Sequence, residues 1–207
     1  MVILLNLQID AIFSVLIRPN KTFKKITEKQ DYFVTAVMVL VISSFFFISY
    51  SLDEQDAPLP TNELGYVLDA GKQSESFVRT LLLNILSIVI VFFIGKKLGG
   101  NNDFRKIFSV MAFAMVPVMV GGITLHVFLY NPLLLASMTG LDPDSIEFAG
   151  LFWPLYFAFI PFVFWTFVLS IKAIKVADNF GTAKAFGVFI ASAVATYLMN
   201  LESMLVV

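Results

Sequence analysis

Few residues in this sequence are of a type and spacing that could carry out chemistry. The 207-residue chain contains no cysteine and a single histidine, His126. A structural zinc site needs four ligands, mostly from Cys and His, and a general base needs a group that orients it. His126 can be interpreted as a hydrogen-bonding residue of a helical bundle or as part of a functional polar site, and the first is favoured. We predict no metal site and no cofactor.

Asn84 is the strongly polar side chain that lies deepest within an apolar run. It suits a hydrogen bond between helices or a contact with a substrate. No carboxylate lies equally deep, although intramembrane ionisable groups mark ion pathways. Segment 142–147 lacks the EF-hand spacing, Gly99-Gly100 lacks the Walker pattern, and no Ser-His-Asp arrangement appears. We therefore predict no catalytic residue and a protein that is not an enzyme.

Two prolines, Pro117 and Pro161, lie inside apolar runs. Proline removes a backbone hydrogen bond and clashes with the preceding turn, so it kinks a helix. Such kinks shape the cavities of transporters, and they also occur in closely packed bundles. Both prolines are predicted to kink their helices. Whether the kinks shape a cavity or only fit a closely packed bundle is left open.

The elements that must position these residues are long apolar helices. Hydrophobic residues make up 58% of the chain and charged residues 14%, against about 45–50% and about 25% in soluble domains. Five continuous apolar runs approach the roughly 20 residues that a transmembrane helix needs: about 33–50, 77–94, 107–130, 151–171 and 183–201. Only helices and closed barrels satisfy the backbone in lipid, and no barrel alternation appears. The sequence predicts an all-α membrane protein with five transmembrane helices in one domain, residues 1–207.

The basic residues give these helices a direction. Twelve of the 14 lie before the first run, between the second and third runs, or between the fourth and fifth. The remaining two, Lys72 and Arg79, are assigned to the other side, whose linkers are otherwise acidic. Basic residues stay on the cytoplasmic side of a membrane. We predict a multi-pass protein of the cell membrane with its N-terminus in the cytoplasm and its C-terminus outside.

Residues 1–31 are predicted to form a cytoplasmic segment that begins with an amphipathic helix. Four polar residues at intervals of four share one face of this helix: Asn6, Asp10, Ser14 and Arg18. The rest of its surface is largely apolar. This pattern fits a helix that lies in the membrane interface. It fits a helix packed against the bundle equally well.

A basic cluster follows, made of Arg18, Lys21, Lys24 and Lys25. Such a cluster attracts anionic lipid headgroups by about 1 kcal/mol per residue near the surface. The same basic residues are also expected if their role is only to keep this segment on the cytoplasmic side of the membrane. The expected partners are membrane lipids, anionic ones included, and a protein at the cytoplasmic face. Nucleic acid is not expected, and the oligomeric state is left open.

Segments 95–108 and 172–186 resemble each other. Each contains a basic helix end, a short turn with Asn, Asp or Gly, a Phe, a further basic residue and a new apolar run. The pattern predicts two helical hairpins of the same orientation, with Asp103 or Asn102 capping one new helix and Asn179 or Thr182 the other. Parallel repeats occur in some transporters. Convergent turn chemistry explains the likeness as well and is favoured.

Three passages resemble the Yip family, the Ypt/Rab-interacting membrane proteins, in the compact form of its prokaryotic members. Pro19–Ile26 is similar to the family's Pro-x-x-Thr-Phe-x-x-Ile motif. Gly99–Pro117 is similar to its Gly-rich turn and Ala-aromatic-Ala-x-x-Pro span, and Trp153–Ala185 to its last hairpin. The resemblance covers about residues 10–200. It implies five spans, a cytoplasmic N-terminus and an outward C-terminus.

The resemblance implies little about activity. Eukaryotic members are similar to trafficking adaptors that bind small GTPases, but this chain has no long cytoplasmic region before its first run. For compact members the resemblance implies no established activity. The leading hypothesis is a non-enzymatic membrane organiser that binds lipids or partners. The alternative is a small transporter or channel with a polar site between kinked helices.

Overall fold

A computed structural model describes residues 2–29, 32–48, 70–100, 103–129, 138–140 and 152–205. These ranges are mostly helical and contain no strand. The main helices, numbered along the chain, are α1 (Val2–Ile17), α2 (Pro19–Glu28), α3 (Phe33–Ile48), α4 (Ala70–Lys97), α5 (Phe104–Ala114), α6 (Val116–Leu129), α7 (Phe152–Asp178) and α8 (Thr182–Leu205). The predicted all-helical class is confirmed for this part of the chain.

Four helical runs are long and apolar enough to cross a membrane. They are Ser76–Lys97, Phe104–Leu125, Phe157–Asp178 and Thr182–Met199. A fifth apolar helix, α3, is shorter, and its side chains are described over Phe33–Phe45. The chain is therefore a multi-pass membrane protein. The fifth crossing, through α3, remains a prediction.

The run formed by α5 and α6 lies at the centre of the bundle. Of its most apolar window, 78% is buried, compared with 11–28% for the other three runs. Every residue from Ile107 to Ala114 is buried, and α3 and α7 pack against both α5 and α6. The outer helices leave large apolar side chains exposed, as expected of helices that face lipid.

The helical assignment is interrupted at Met115, between α5 and α6. Pro117 follows two residues later and has no N–H to donate to the carbonyl of Phe113. The Met115 N–H instead donates to the carbonyl of Ala112, 3.0 Å away, which is a tighter turn. Helix α7 continues through its exposed Pro161 without interruption.

Helices α6 and α7 approach closely at Gly121. A Cβ at this position would lie 2.7 Å from Phe162 Cγ and 2.9 Å from Phe159 Cδ2. Only glycine therefore permits this crossing without a shift of the rings. Phe159 and Phe162, on either side of Pro161, thus occupy the space beside Gly121 between α6 and α7.

Helix α1 has three faces. One is buried where α1 contacts α2, α5 and α6, and it contains Ala11 and Val15. The second is apolar and exposed, and consists of Ile9, Phe13 and Ile17. The third is polar and exposed, and it contains Asp10 and Ser14, with Arg18 directly after the end of the helix. The Asn6 side chain lies outside the described part of the structure.

Candidate functional site

Helix α2 positions the basic cluster. Pro19 occupies its first turn, where a missing N–H is harmless, and Thr22, Phe23 and Ile26 are buried on one face. Because α2 packs on α5 and α7 through this face, its opposite face points outward. The predicted binding residues Arg18, Lys21 and Lys24 are exposed, whereas Lys25 is half-buried.

Helix α4 ends in a C-capping turn that depends on glycine. The Gly100 N–H donates to the Gly95 carbonyl (2.8 Å) and the Gly99 N–H to the Lys96 carbonyl (3.0 Å). This is the Schellman pattern, which needs a left-handed residue, and Gly99 has φ +84°. Asp103 then caps α5, because its Oδ1 accepts the Lys106 N–H at 2.8 Å.

Helix α7 ends in the same way. The Phe180 N–H donates to the Lys175 carbonyl (3.0 Å), and Asn179 is left-handed with φ +54°. Asn179 therefore terminates α7 and does not cap α8, which differs from the prediction. The Thr182 hydroxyl accepts a hydrogen bond from Lys175 Nζ at 2.8 Å, and Asn102 lies outside the described residues. The two similar segments thus share a backbone motif.

The two turns pack against each other. The buried Asp178 carboxylate lies against the backbone of the first turn, since a Cβ on Gly95 would come 2.6 Å from Oδ2 and one on Gly100 2.7 Å from Cγ. In return, Lys184 Nζ of α8 donates to the carbonyl of Leu98. We call residues 95–100 and 178–184 the paired turns. The sequence predicted the two turns but not the contacts of Asp178 and Lys184, because no local pattern links the two segments.

The paired turns and α2 together form one end of the bundle, which we call the basic end. It carries α2's basic cluster, the exposed Lys96 and Lys97 of α4, and Lys175 and Lys184. Several of its cations lie over aromatic rings: Arg105 is 4.9 Å from the centroid of Phe33, and Lys184 is 4.3 Å from that of Phe180. Amphipathic contacts of this kind suit the boundary between water and the apolar bundle.

A shallow groove separates α2 from α5 at the basic end. It is open to solvent and is lined by Ile26, Thr27, Lys29, Asp103, Arg105, Lys106 and Ser109. Three of these residues are cationic and one is acidic. The groove thus adds Lys29, Arg105 and Lys106 to the positive charge of the basic end.

The predicted intramembrane polar residues take separate positions. Asn84 Nδ2 donates to Ser44 Oγ at 2.9 Å, which joins α4 to the buried polar face of α3. The backbone at His126 belongs to α6, and its side chain lies outside the described residues. Within the described ranges, no group of three His, Cys, Asp or Glu side chains could hold a metal ion.

These features define a polytopic helical membrane protein with a basic end and a largely apolar interior. The family model of the Yip1 domain matches residues 13–201, nearly the whole chain. The chain therefore belongs to the Yip1 family, which confirms the resemblance. Searches of curated proteins and of solved structures gave no match. The family is associated with membrane trafficking and is not known as enzymatic.

Proposed function

We propose that this Yip1-family protein is a non-enzymatic organiser of the membrane whose basic end faces the cytoplasm and binds anionic lipid headgroups. The observation that carries the proposal is the fixed orientation of α2. Its buried face, with Phe23 and Ile26, holds Lys21 and Lys24 on the opposite, exposed side. A loose basic tail would not present its charges in this way.

Helix α1 supports a lipid surface as the partner. It directly precedes α2, and it carries an exposed apolar edge beside an exposed polar edge. A helix at the membrane interface meets lipid on one side and water on another. The third face of α1 contacts the bundle, so α1 and α2 together form a surface that suits the headgroup layer.

The packing of the interior favours the organiser over the transporter hypothesis. Asn84 is hydrogen-bonded to Ser44, and Gly121 is in close contact with the rings of Phe159 and Phe162. The polar residue and the proline-containing helix that motivated a transport site therefore take part in helix packing. No observation on the described residues favours transport.

The test replaces Lys21, Lys24 and Lys25 together by Gln. Each lysine near an anionic surface contributes about 1 kcal/mol, so the triple variant should lose up to about a hundredfold in affinity. The measurement is native mass spectrometry of the detergent-solubilised protein. It compares phosphatidylglycerol with phosphatidylcholine retained from a mixture of the two lipids. The loss should shrink at high salt, because salt screens exposed charges.

The matched control replaces the same three lysines by Arg, which keeps every charge. This variant should retain phosphatidylglycerol as the wild type does. Equal retention by the Gln variant would contradict the proposal. If lipid retention were unchanged while co-purifying proteins disappeared, the basic face would be a protein-binding surface and lipid binding would be rejected.

A further inference from the structure

We infer that the groove between α2 and α5 is a binding site for a phosphate monoester at the level of the lipid headgroups. This inference rests on the proposed function, because it places a particular headgroup chemistry within the basic end. The groove is distinct from the outward face of α2. Its lining comes from the end of α2 and the beginning of α5, and it contains neither Lys21 nor Lys24.

Three of the four charged side chains of the groove have partners within the protein. The Arg105 guanidinium lies 4.9 Å from the centroid of Phe33, and contact with a ring uses none of its N–H donors in hydrogen bonds. Asp103 Oδ1 accepts the Lys106 N–H, and its Oδ2 lies 3.9 Å from Lys106 Nζ. The single carboxylate is therefore engaged as a helix cap, and Arg105 is oriented before any ligand arrives.

The charge balance favours a dianion. Lys29, Arg105 and Lys106 are cationic and Asp103 is anionic, so the lining carries a net charge of plus two. A phosphate monoester carries about −1.5 to −2 at pH 7 and three strong acceptor oxygens. A phosphodiester headgroup carries a single negative charge and fewer free oxygens. Arginine matches phosphate oxygens in a bidentate way, which a lysine cannot do.

The position of the groove suits a headgroup. Phe33 begins α3, and Arg105 and Lys106 lie in the first turn of α5, where the central run begins. Ser109, one turn deeper, is buried, and its hydroxyl donates to the Arg105 carbonyl at 2.8 Å. The cations thus lie at the mouth of the groove and the uncharged residues Ile26 and Ser109 beneath it, which is the polarity gradient of a membrane surface.

The test compares lipids that differ in the phosphate group. The solubilised protein is offered phosphatidic acid, which has a monoester, against phosphatidylglycerol, which has a diester. We expect the wild type to prefer phosphatidic acid. Arg105→Gln should lower retention of phosphatidic acid about tenfold, since charge-assisted hydrogen bonds are the strong ones. Its retention of phosphatidylglycerol should change little.

Two variants serve as controls. Lys97→Gln removes one exposed charge of the basic end outside the groove, and it should leave the preference for phosphatidic acid intact. Lys29→Gln removes an exposed charge inside the groove at the end of α2, without touching the core, and it should lower that preference. If Lys97→Gln and Arg105→Gln lowered the retention of phosphatidic acid equally, the binding would be a general charge attraction, and the inference would be overturned.

A second arm separates a lipid from a soluble ligand. Glycerol 3-phosphate is added to the protein loaded with phosphatidic acid. Displacement would support the site and assign it to soluble phosphate monoesters, whereas retention against this competitor would support a lipid headgroup. Absence of any preference for phosphatidic acid in the wild type would overturn the site. The proposed function fails separately, through the α2 triple variant.

Discussion

The buried Asp178 side chain at the end of α7 packs against the turn between α4 and α5. Its carboxylate lies against Gly95 and Gly100, positions where no side chain would fit beside it. The sequence predicted the glycines and Asp178 as residues of two separate turns. It did not reveal that they meet, because the two positions lie about 80 residues apart and no local pattern links them.

Gly100→Ala should destabilise the protein. The added Cβ would lie 2.7 Å from Asp178 Cγ and 2.9 Å from the Gly95 carbonyl oxygen, so either the turn or the carboxylate must move. Overpacking of this kind typically costs about 1–3 kcal/mol. Thermal unfolding in detergent measures the change.

The matched control for this prediction is Gly187→Ala in α8. Nothing lies within 4 Å of a Cβ at Gly187, and alanine is the better helix former by up to about 1 kcal/mol. The control should therefore be neutral or stabilising. Equal loss of stability in both variants would contradict the close packing of Asp178 on the first turn.

At the level of elements, the sequence predicted caps and turns well where the signal was local. Asp103 caps α5 as one of the two predicted residues, and the two turns share a Schellman motif, consistent with the similarity of their segments. Asn179 does not take its predicted role as a cap of α8. Asparagine tolerates the left-handed conformation, so this residue ends α7. Which residue of a turn takes that conformation depends on packing around it, which the sequence does not display.

The three faces of α1 give a prediction for this element. The chain has no cysteine, so a spin label attached to a single introduced cysteine reports one position alone. Phe13→Cys lies on the exposed apolar edge and Ser14→Cys on the polar edge. If α1 lies in the membrane interface, in reconstituted bilayers a label at 13 should be more accessible to oxygen and one at 14 to a water-soluble nickel complex.

The buried face supplies the comparison. A label at Ala11, which is 3% exposed, should be protected from both reagents because this position contacts the bundle. Equal access of the nickel complex to positions 13 and 14 would place both edges in water. In that case α1 would be a helix packed on the bundle outside the lipid.

At the scale of the whole molecule, hydropathy identified the apolar helices but not their arrangement. The runs Phe104–Leu125 and Phe157–Asp178 have the same mean hydropathy of 2.0, yet 78% of the first and 28% of the second are buried. Lipid and protein interior are both apolar, so composition does not distinguish a helix surrounded by protein from one facing lipid. Small residues such as Gly121 and Ala112 mark the central run, but only the packing reveals their role.

Topology is the prediction that belongs to this scale. With five crossings and the basic end in the cytoplasm, a reporter fused after Val207 should be outside and one inserted after Asn179, in the turn between α7 and α8, should be inside. Paired enzymatic reporters that are active on opposite sides of the membrane measure both positions. A reporter at Val207 that is active in the cytoplasm would indicate an even number of crossings.

The paired turns also constrain how the chain is made. Leu98 and Lys184 are 86 residues apart, so their hydrogen bond forms only after nearly the whole chain has been synthesised. Before that point, the turn between α4 and α5 lacks the Asp178 carboxylate that covers its glycines in the complete protein. Assembly of this end is thus a late step of biogenesis, and a ribosome-stalled chain that ends before α7 would expose a surface that the complete protein hides.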